Sequence, residues 1–342
     1  MNPILRKSLF YVPLLSIIIV SSCQKENNLY VETQVDENVI EYGSLKVKLP
    51  INYNESVLTL KLEDLQNHYF LINSKKLKSN SISDRPDITM EELNELASAV
   101  LLKYPDMGEL SESDILLIQE NFNGIPESTI YKNIELIDSF YSALIRFDYF
   151  DTISKYIPIQ YKSANDYFGY NVSFAELWAL AWHPSLVGPT MDATNKAIEL
   201  TGQYFPTEDP WRTKADAFRH AMWNVLIAKY VGDKKNSIEK CVSWAKKFTD
   251  KHEEGADKPE EMTQDDFDFD QSMDFHNNEY GRNCFSSVAW EDERKWYQST
   301  VVYAPSETTM ANYIFGKTGL AKKVSSETEI NSYPLFLVYI KD

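Results

Sequence analysis

Cysteine is nearly absent: three of the 342 residues are cysteines, at positions 23, 241 and 284. A disulfide scaffold is excluded, and a fold of this length has to rest on an apolar core. Cys241 and Cys284 can supply one bridge at most, and Cys241 also fits the apolar face of a helix as an ordinary core residue. Positive charge is scarce as well, with 34 Lys and Arg against 51 Asp and Glu and a formal net charge of -17. Such a surface repels phosphate backbones, so nonspecific binding to DNA or RNA is disfavoured. No Gly-x-Ser-x-Gly elbow, Walker loop or dinucleotide fingerprint occurs, which argues against serine-hydrolase, nucleotide-dependent and redox chemistry. Internal repeats and low-complexity segments are also lacking. What the chain has in quantity is apolar material, 43% hydrophobic and 13% aromatic, enough for one large core or two modest ones.

Arg6 and Lys7 precede an apolar stretch from Leu9 to Val20, which is shorter than a membrane span and has the flanks of a targeting segment. It ends Ile19-Val20-Ser21-Ser22-Cys23. That ending resembles the lipobox of bacterial lipoproteins, which implies cleavage after Ser22, lipidation of Cys23 and attachment to a membrane. The expected location is the cell envelope, anchored to the outer membrane on its periplasmic or cell-surface face. Gln24-Lys25-Glu26 resembles the short tags of Bacteroidetes surface lipoproteins.

The expected organisation is a signal peptide (1–22), a lipidated cysteine and flexible tether (23–43), an N-terminal region of short strands then helices (44–165), and a motif-bearing helical domain with C-terminal strands (166–342). Ser44–Leu49 and Ser56–Leu62 alternate polar and apolar residues as half-buried strands do. Capping boxes at Thr89-Met90-Glu91-Glu92 and Ser173-Phe174-Ala175-Glu176 open helices, the second ending at His183-Pro184. Further helices are expected over 113–121, from Pro126 through Tyr141, over 192–204, from Thr213 to Gly232, and over 237–254. Residues 299–303 and 335–340 read as strands that pair with each other or with the N-terminal strands. The fold class is therefore mainly α, a helical domain with a small β element formed by N-terminal and C-terminal strands.

Three of the five histidines fall in three segments, Asp216–Asn224, Thr249–Glu254 and Met273–Arg282. In the first, Asp216, His220 and Asn224 are spaced by four and form one polar stripe beside the apolar stripe of Phe218, Ala221, Met222 and Val225. An acid, an imidazole and an amide on one line can bind a metal or position a water; a capping Asp with a core-bonded His is the structural alternative. In the second, His252 continues the seam of Ile238, Cys241, Ala245 and Phe248 and is expected to face inward, with Asp250 and Glu253 on the adjacent face. Carboxylates beside a buried histidine raise its affinity for protons or metal; interaction with the helix dipole is the bland reading. In the third, Asp274, Asn278 and Arg282 follow each other at helical spacing, and Gly281 permits close backbone approach. Asn277 and Asn278 can hold a loop or orient a substrate oxygen and Arg282 can clamp a carboxylate or phosphate, while an Asp274–Arg282 ion pair would be purely structural. The acids of Asp265–Asp270 alternate like a calcium loop, but Gln271 stands where an EF-hand needs glycine, so a solvated acidic loop is expected.

Taken together, the sequence Asp-Ala-Phe-Arg-His-Ala-x-Trp-Asn, then Asp-x-His-Glu, then Met-Asp-x-x-Asn-Asn-x-x-Gly-Arg resembles an uncharacterised bacterial domain family of secreted and lipid-anchored proteins and of RHS-type toxin C-termini. The similarity covers about residues 170 to 300. It implies a shared site drawn from Asp216, Arg219, His220, Asn224, Asp250, His252, Glu253, Asp274, Asn277, Asn278 and Arg282, with His276 at a variable position. The leading expectation is a hydrolase in which these residues bind a divalent metal such as zinc, through His220, His252 and Asp250, or act directly as acid and base. Similarity of the His/Asp/Asn inventory to zinc-dependent phospholipases C points to phosphoester or lipid substrates, with peptidoglycan the other polymer within reach of a tethered enzyme. The competing expectation is a non-catalytic binding or scaffold lipoprotein whose polar cluster is a hydrogen-bond network; a toxin is a third.

Overall fold

The computed structural model describes residues 38–51, 53–67, 88–155, 172–256, 258–292 and 300–342. The signal peptide, Cys23 and most of the tether lie outside these residues. Val39–Tyr42 (β1) and Leu45–Lys48 (β2) form an antiparallel hairpin, turning at Gly43 with a φ of 59° that only glycine adopts without strain. The strand expected from Ser44 is present, but Val39 to Glu41, read as tether, belongs to the same hairpin. Ser56–Leu62 is not a strand. Asn54 caps a short 3-10 helix at Glu55–Thr59, and this local side-chain to backbone bond overrides the alternating pattern.

Helices then take over. Met90–Leu101 (α1) and Glu112–Asn121 (α2) begin with complete capping boxes. The single helix expected after Pro126 is two, Glu127–Lys132 (α3) and Ile134–Ser154 (α4), broken at Asn133. Phe174–Trp182 (α5) opens with the Ser173–Glu176 box and stops before Pro184. Val187–Tyr204 (α6) starts five residues earlier than its apolar periodicity indicates. Lys214–Tyr230 (α7), Ile238–Gly255 (α8) and Gln264–Val288 (α9) follow. The acidic run Asp265–Asp270 is the first turns of α9, not a loop.

The C-terminal strands pair differently from expectation. Val301–Tyr303 (β4) lies antiparallel to Trp290–Asp292 (β3), and Val338–Tyr339 (β6) lies parallel to Lys322–Lys323 (β5), with Glu307–Thr318 (α10) and Glu327–Asn331 (α11) between. None pairs with the N-terminal hairpin. Two or three residues per strand are too few to carry a long-range sheet, so each pair depends on the helices beneath it. The fold is mainly α with small β elements.

Residues 38–342 pack as one unit, and its largest apolar cluster draws on both sides of residue 165, from Leu93 and Phe150 to Phe218, Phe248 and Phe285. A smaller cluster joins Val47 and Leu49 to Phe122, Phe140 and Tyr141. Helix α7 is buried almost throughout, from Ala215 to Ala228. Its neighbours α6, α8 and α9 surround it, so the polar stripe seen in the sequence faces other helices as fully as the apolar one does. Cys241 and Cys284 are free and buried.

Candidate functional site

The α7–α9 crossing creates the site. A Cβ at Gly281 would stand 2.1 Å from the carbonyl oxygen of Ala221, so the two backbones touch as closely as the missing side chain allows. This approach brings Asp216, His220 and Asn224 of α7 against Asp274, Asn278 and Arg282 of α9, and α8 closes the third side with Thr249, Asp250 and Glu253.

His220 is the hub and is 5% exposed at its side chain. Its Nε2 lies 3.4 Å from Asp216 Oδ1 and 3.2 Å from Asp274 Oδ1. Its Nδ1 lies 3.2 Å from Asn278 Oδ1 and 3.5 Å from Glu253 Oε1. The direction of the bonds around it is set from Arg282, which can only donate. Arg282 Nη1 donates to Asn224 Oδ1 at 2.9 Å, so the other end of that amide is the nitrogen, which donates to Asn278 Oδ1 at 2.7 Å. Asn278 then donates through Nδ2 to Glu253 Oε1 at 2.9 Å. His220 Nδ1 meets an oxygen already assigned as acceptor, so Nδ1 carries the proton. In a neutral ring, Nε2 presents its lone pair to Asp216 and Asp274, as an imidazole held by an outer partner does toward a metal.

Asp216 is buried, a location that raises a carboxyl pKa. Arg219 at 2.6 Å and the Arg212 backbone N–H at 2.6 Å outweigh that and hold it below the usual range, with His220 adding to them only when its ring carries both protons. Asp274 has no such help. Burial first, then Glu253, Asp216 and Asp270, push its pKa well above the ordinary value. Its Oδ1 is buried and accepts no hydrogen bond, although His220 Nε2 is within ion-pair distance. Three carboxylates around His220 against one guanidinium in contact leave a formal charge of -2. One divalent cation or two protons would neutralise it.

Arg212 stands in the left-handed region with a φ of 66°, a strained conformation for a non-glycine residue and one found most often at functional sites. Its backbone holds Asp216, and its Nε pairs with Asp270 Oδ1 at 2.7 Å.

The expected ligand set His220, His252 and Asp250 does not converge. Asp250 pairs with Lys246 and lies 4.0 Å from Arg282. His252 is 36% exposed, stacks edge-on against Trp223, and its Nδ1 lies 3.0 Å from Glu176 Oε1. Burial lowers its pKa, but Glu176 and Glu253 outweigh that and raise it to about 9. Among the described residues, the group whose ligand atoms lie within 4.8 Å of one another is Asp216, His220 and Asp274. Helical drift explains the difference: residues 250 and 252 are about 200° apart on α8 and cannot both face His220. Asn277 is likewise turned away from the hub. Its amide donates to Val338 O at 2.9 Å and accepts from Val338 N at 3.0 Å, clamping β6. His276 lies 2.8 Å from Phe336 O. Arg282 faces Asn224 and not Asp274.

Sequence reasoning missed three participants. Glu176 was legible only as a capping-box residue, yet one carboxylate oxygen serves the cap and the other serves His252. Thr249 donates to Asn224 Oδ1 at 3.1 Å, and Arg212 carried no motif.

Residues 177–308 match the family model described as Domain of unknown function (DUF6973), a span that contains Asp216, His220, Asp274 and the residues bonded around them but not Glu176. No curated protein matches the chain. Among solved structures, a chain of human WLS in complex with WNT8A aligns at 14% identity over 46% of this chain and 68% of that chain, with a TM-score of 0.36.

Proposed function

We propose that the chain is a lipid-anchored cell-envelope protein whose helical domain carries a hydrolase-type centre, with Asp216, His220 and Asp274 as ligands to a divalent cation such as zinc. The observation that carries this reading is the buried Asp274 Oδ1 without a hydrogen bond, beside an imidazole nitrogen and a second carboxylate at ligand spacing. A water on the cation would be activated for attack on a phosphoester or other ester. Glu253, 3.5 Å from the His220 ring, is the nearest further carboxylate, and Arg219, 35% exposed, stands toward solvent where it would meet an anionic group. Lipid and phosphoester substrates fit a protein tethered through Cys23, and the leader ending at that residue is the support for the tether. No helix of the described residues is long and apolar enough to cross a membrane.

One observation favours a second reading. The hub is closed by a chain of hydrogen bonds linking α7, α8 and α9, as in a purely structural network in which two protons replace the cation. The test is the metal content of full-length protein purified without chelator, followed by hydrolysis of a phosphodiester panel with and without that metal. One equivalent of metal per chain, lost in His220→Ala, and metal-dependent turnover support the centre. A metal-free chain that binds no added zinc or manganese favours the network.

A further inference from the structure

A second polar cluster lies away from the His220 centre, at the end of α5. His183 terminates that helix, and its ring packs edge-on against Trp244 with centroids 5.0 Å apart. Its Nε2 lies 3.4 Å from Lys247 Nζ. An ammonium can only donate, so Nε2 accepts and Nδ1 carries a proton available for donation. The guanidinium of Arg146 on α4 lies 4.6 Å from the ring centre of neighbouring Trp182. Lys235, half-buried in the turn before α8, and Arg146 both stand within electrostatic reach of His183.

In a chain with a net charge of -17, cations normally find carboxylates. Among the described residues, Arg146, Lys235 and Lys247 make no ion pair within 4 Å. Asp138 is within electrostatic reach of Arg146 and Lys235, and burial raises its own pKa. Burial also lowers the pKa of all three cations, and burial followed by the three positive neighbours depresses His183 to about 3, so the imidazole stays neutral. Asp138 reaches Arg146 and Lys235 but cannot balance three partly desolvated positive groups, and an anion held beside them reduces the cost that remains. A planar guanidinium fork, two ammonium groups and an imidazole N–H form a donor set suited to a tetrahedral, multiply charged oxyanion.

We infer that Arg146, His183, Lys235 and Lys247 form a binding site for a phosphate group, separate from the centre at His220. The group is either free phosphate or the phosphomonoester headgroup of a lipid in the membrane to which the chain is tethered.

The test is thermal melting of the full-length protein in inorganic phosphate and in chloride at matched ionic strength. It is repeated in phosphatidylcholine vesicles with and without phosphatidic acid. Phosphate at ~10 mM is expected to raise the wild-type midpoint by about 3 °C. Arg146→Gln and Lys247→Gln are expected to abolish the shift while still unfolding cooperatively in chloride, with only the small loss that the Trp182 and His183 contacts account for. Lys132→Gln, on the separate helix α3, is expected to keep it. A shift with phosphatidic acid and none with free phosphate, lost in the same two variants, assigns the site to a lipid headgroup. No anion-specific shift in either medium, or an equal shift in Arg146→Gln and Lys247→Gln, overturns the proposal and leaves the cations as partners of a helix C-terminus alone.

Discussion

Arg282 on α9 and Asn224 on α7 are joined by a 2.9 Å hydrogen bond from Nη1 to Oδ1, and that bond fixes which nitrogen of His220 carries the proton. The order of donation runs from Arg282 through Asn224 to the oxygen of Asn278, where His220 Nδ1 also donates. Imidazole nitrogen shifts measured by NMR on labelled protein at neutral pH should show a protonated Nδ1 and an unprotonated Nε2 in the metal-free wild type. Arg282→Leu removes the donor that orders the amides. It should release the preference and lower stability by about 2 kcal/mol, because the buried Asn224 Oδ1 loses a charged donor. An unchanged shift pattern in that variant would show that the tautomer is set elsewhere.

The closeness of α7 and α9 predicts that Gly281→Ala is among the worst small substitutions available. A methyl group 2.1 Å from Ala221 O has to push the helices apart, at about 3 kcal/mol or more. Because it displaces Asp274 and Asn278 together, denaturant melts and zinc binding should both suffer. A variant that melts like wild type would contradict the packing.

How much of this was legible in the sequence depends on how local the signal was. The capping boxes at Thr89 and Ser173, the stripe Asp216–His220–Asn224 and the close approach at Gly281 are short-range patterns, and the structure contains all of them. The pairing of β6 with β5 was not legible, since two-residue strands gain their stability from Asn277 and the helix beneath. Nor was the ligand set: helix spacing places His220 and Asp274 on faces of their own helices, but only the crossing of α7 and α9 puts those faces together. The same crossing leaves His252 to Glu176, a residue whose capping role hid its second partner.

The His252–Glu176 pair gives the stability a pH dependence of definite sign. The folded-state pKa of His252 is raised to about 9, above the ordinary histidine value of about 6.5. Its contribution is therefore fully present below about pH 6.5 and is lost as pH rises through about 9. Urea melts of wild type should weaken over that interval, and Glu176→Gln should flatten the profile by removing the largest raising influence. A wild-type profile that is flat between these limits, or one that strengthens, would contradict the pairing. With the imidazole 36% exposed, the effect should be modest.

Asn277 and Asn278 are adjacent in sequence but serve different structures. Asn277→Ala should cost about 2 kcal/mol through two lost hydrogen bonds to Val338, and hydrogen exchange should show β6 freed while zinc binding is retained. Asn278→Ala should instead weaken zinc binding, since it removes the outer partner of His220. Equal effects of the two on zinc would remove the distinction.

The most direct measurement is the melting temperature of Asp274→Asn beside wild type, each with chelator and with zinc. Asp274 is a buried carboxylate crowded by Glu253, Asp216 and Asp270, so if its place is kept for a cation, the amide should melt at or above wild type in chelator and lose most of the zinc-induced gain. An Asp274→Asn variant that melts well below wild type in chelator, with zinc stabilising neither protein, would contradict the metal centre and leave Asp274 as a member of a proton-filled structural network.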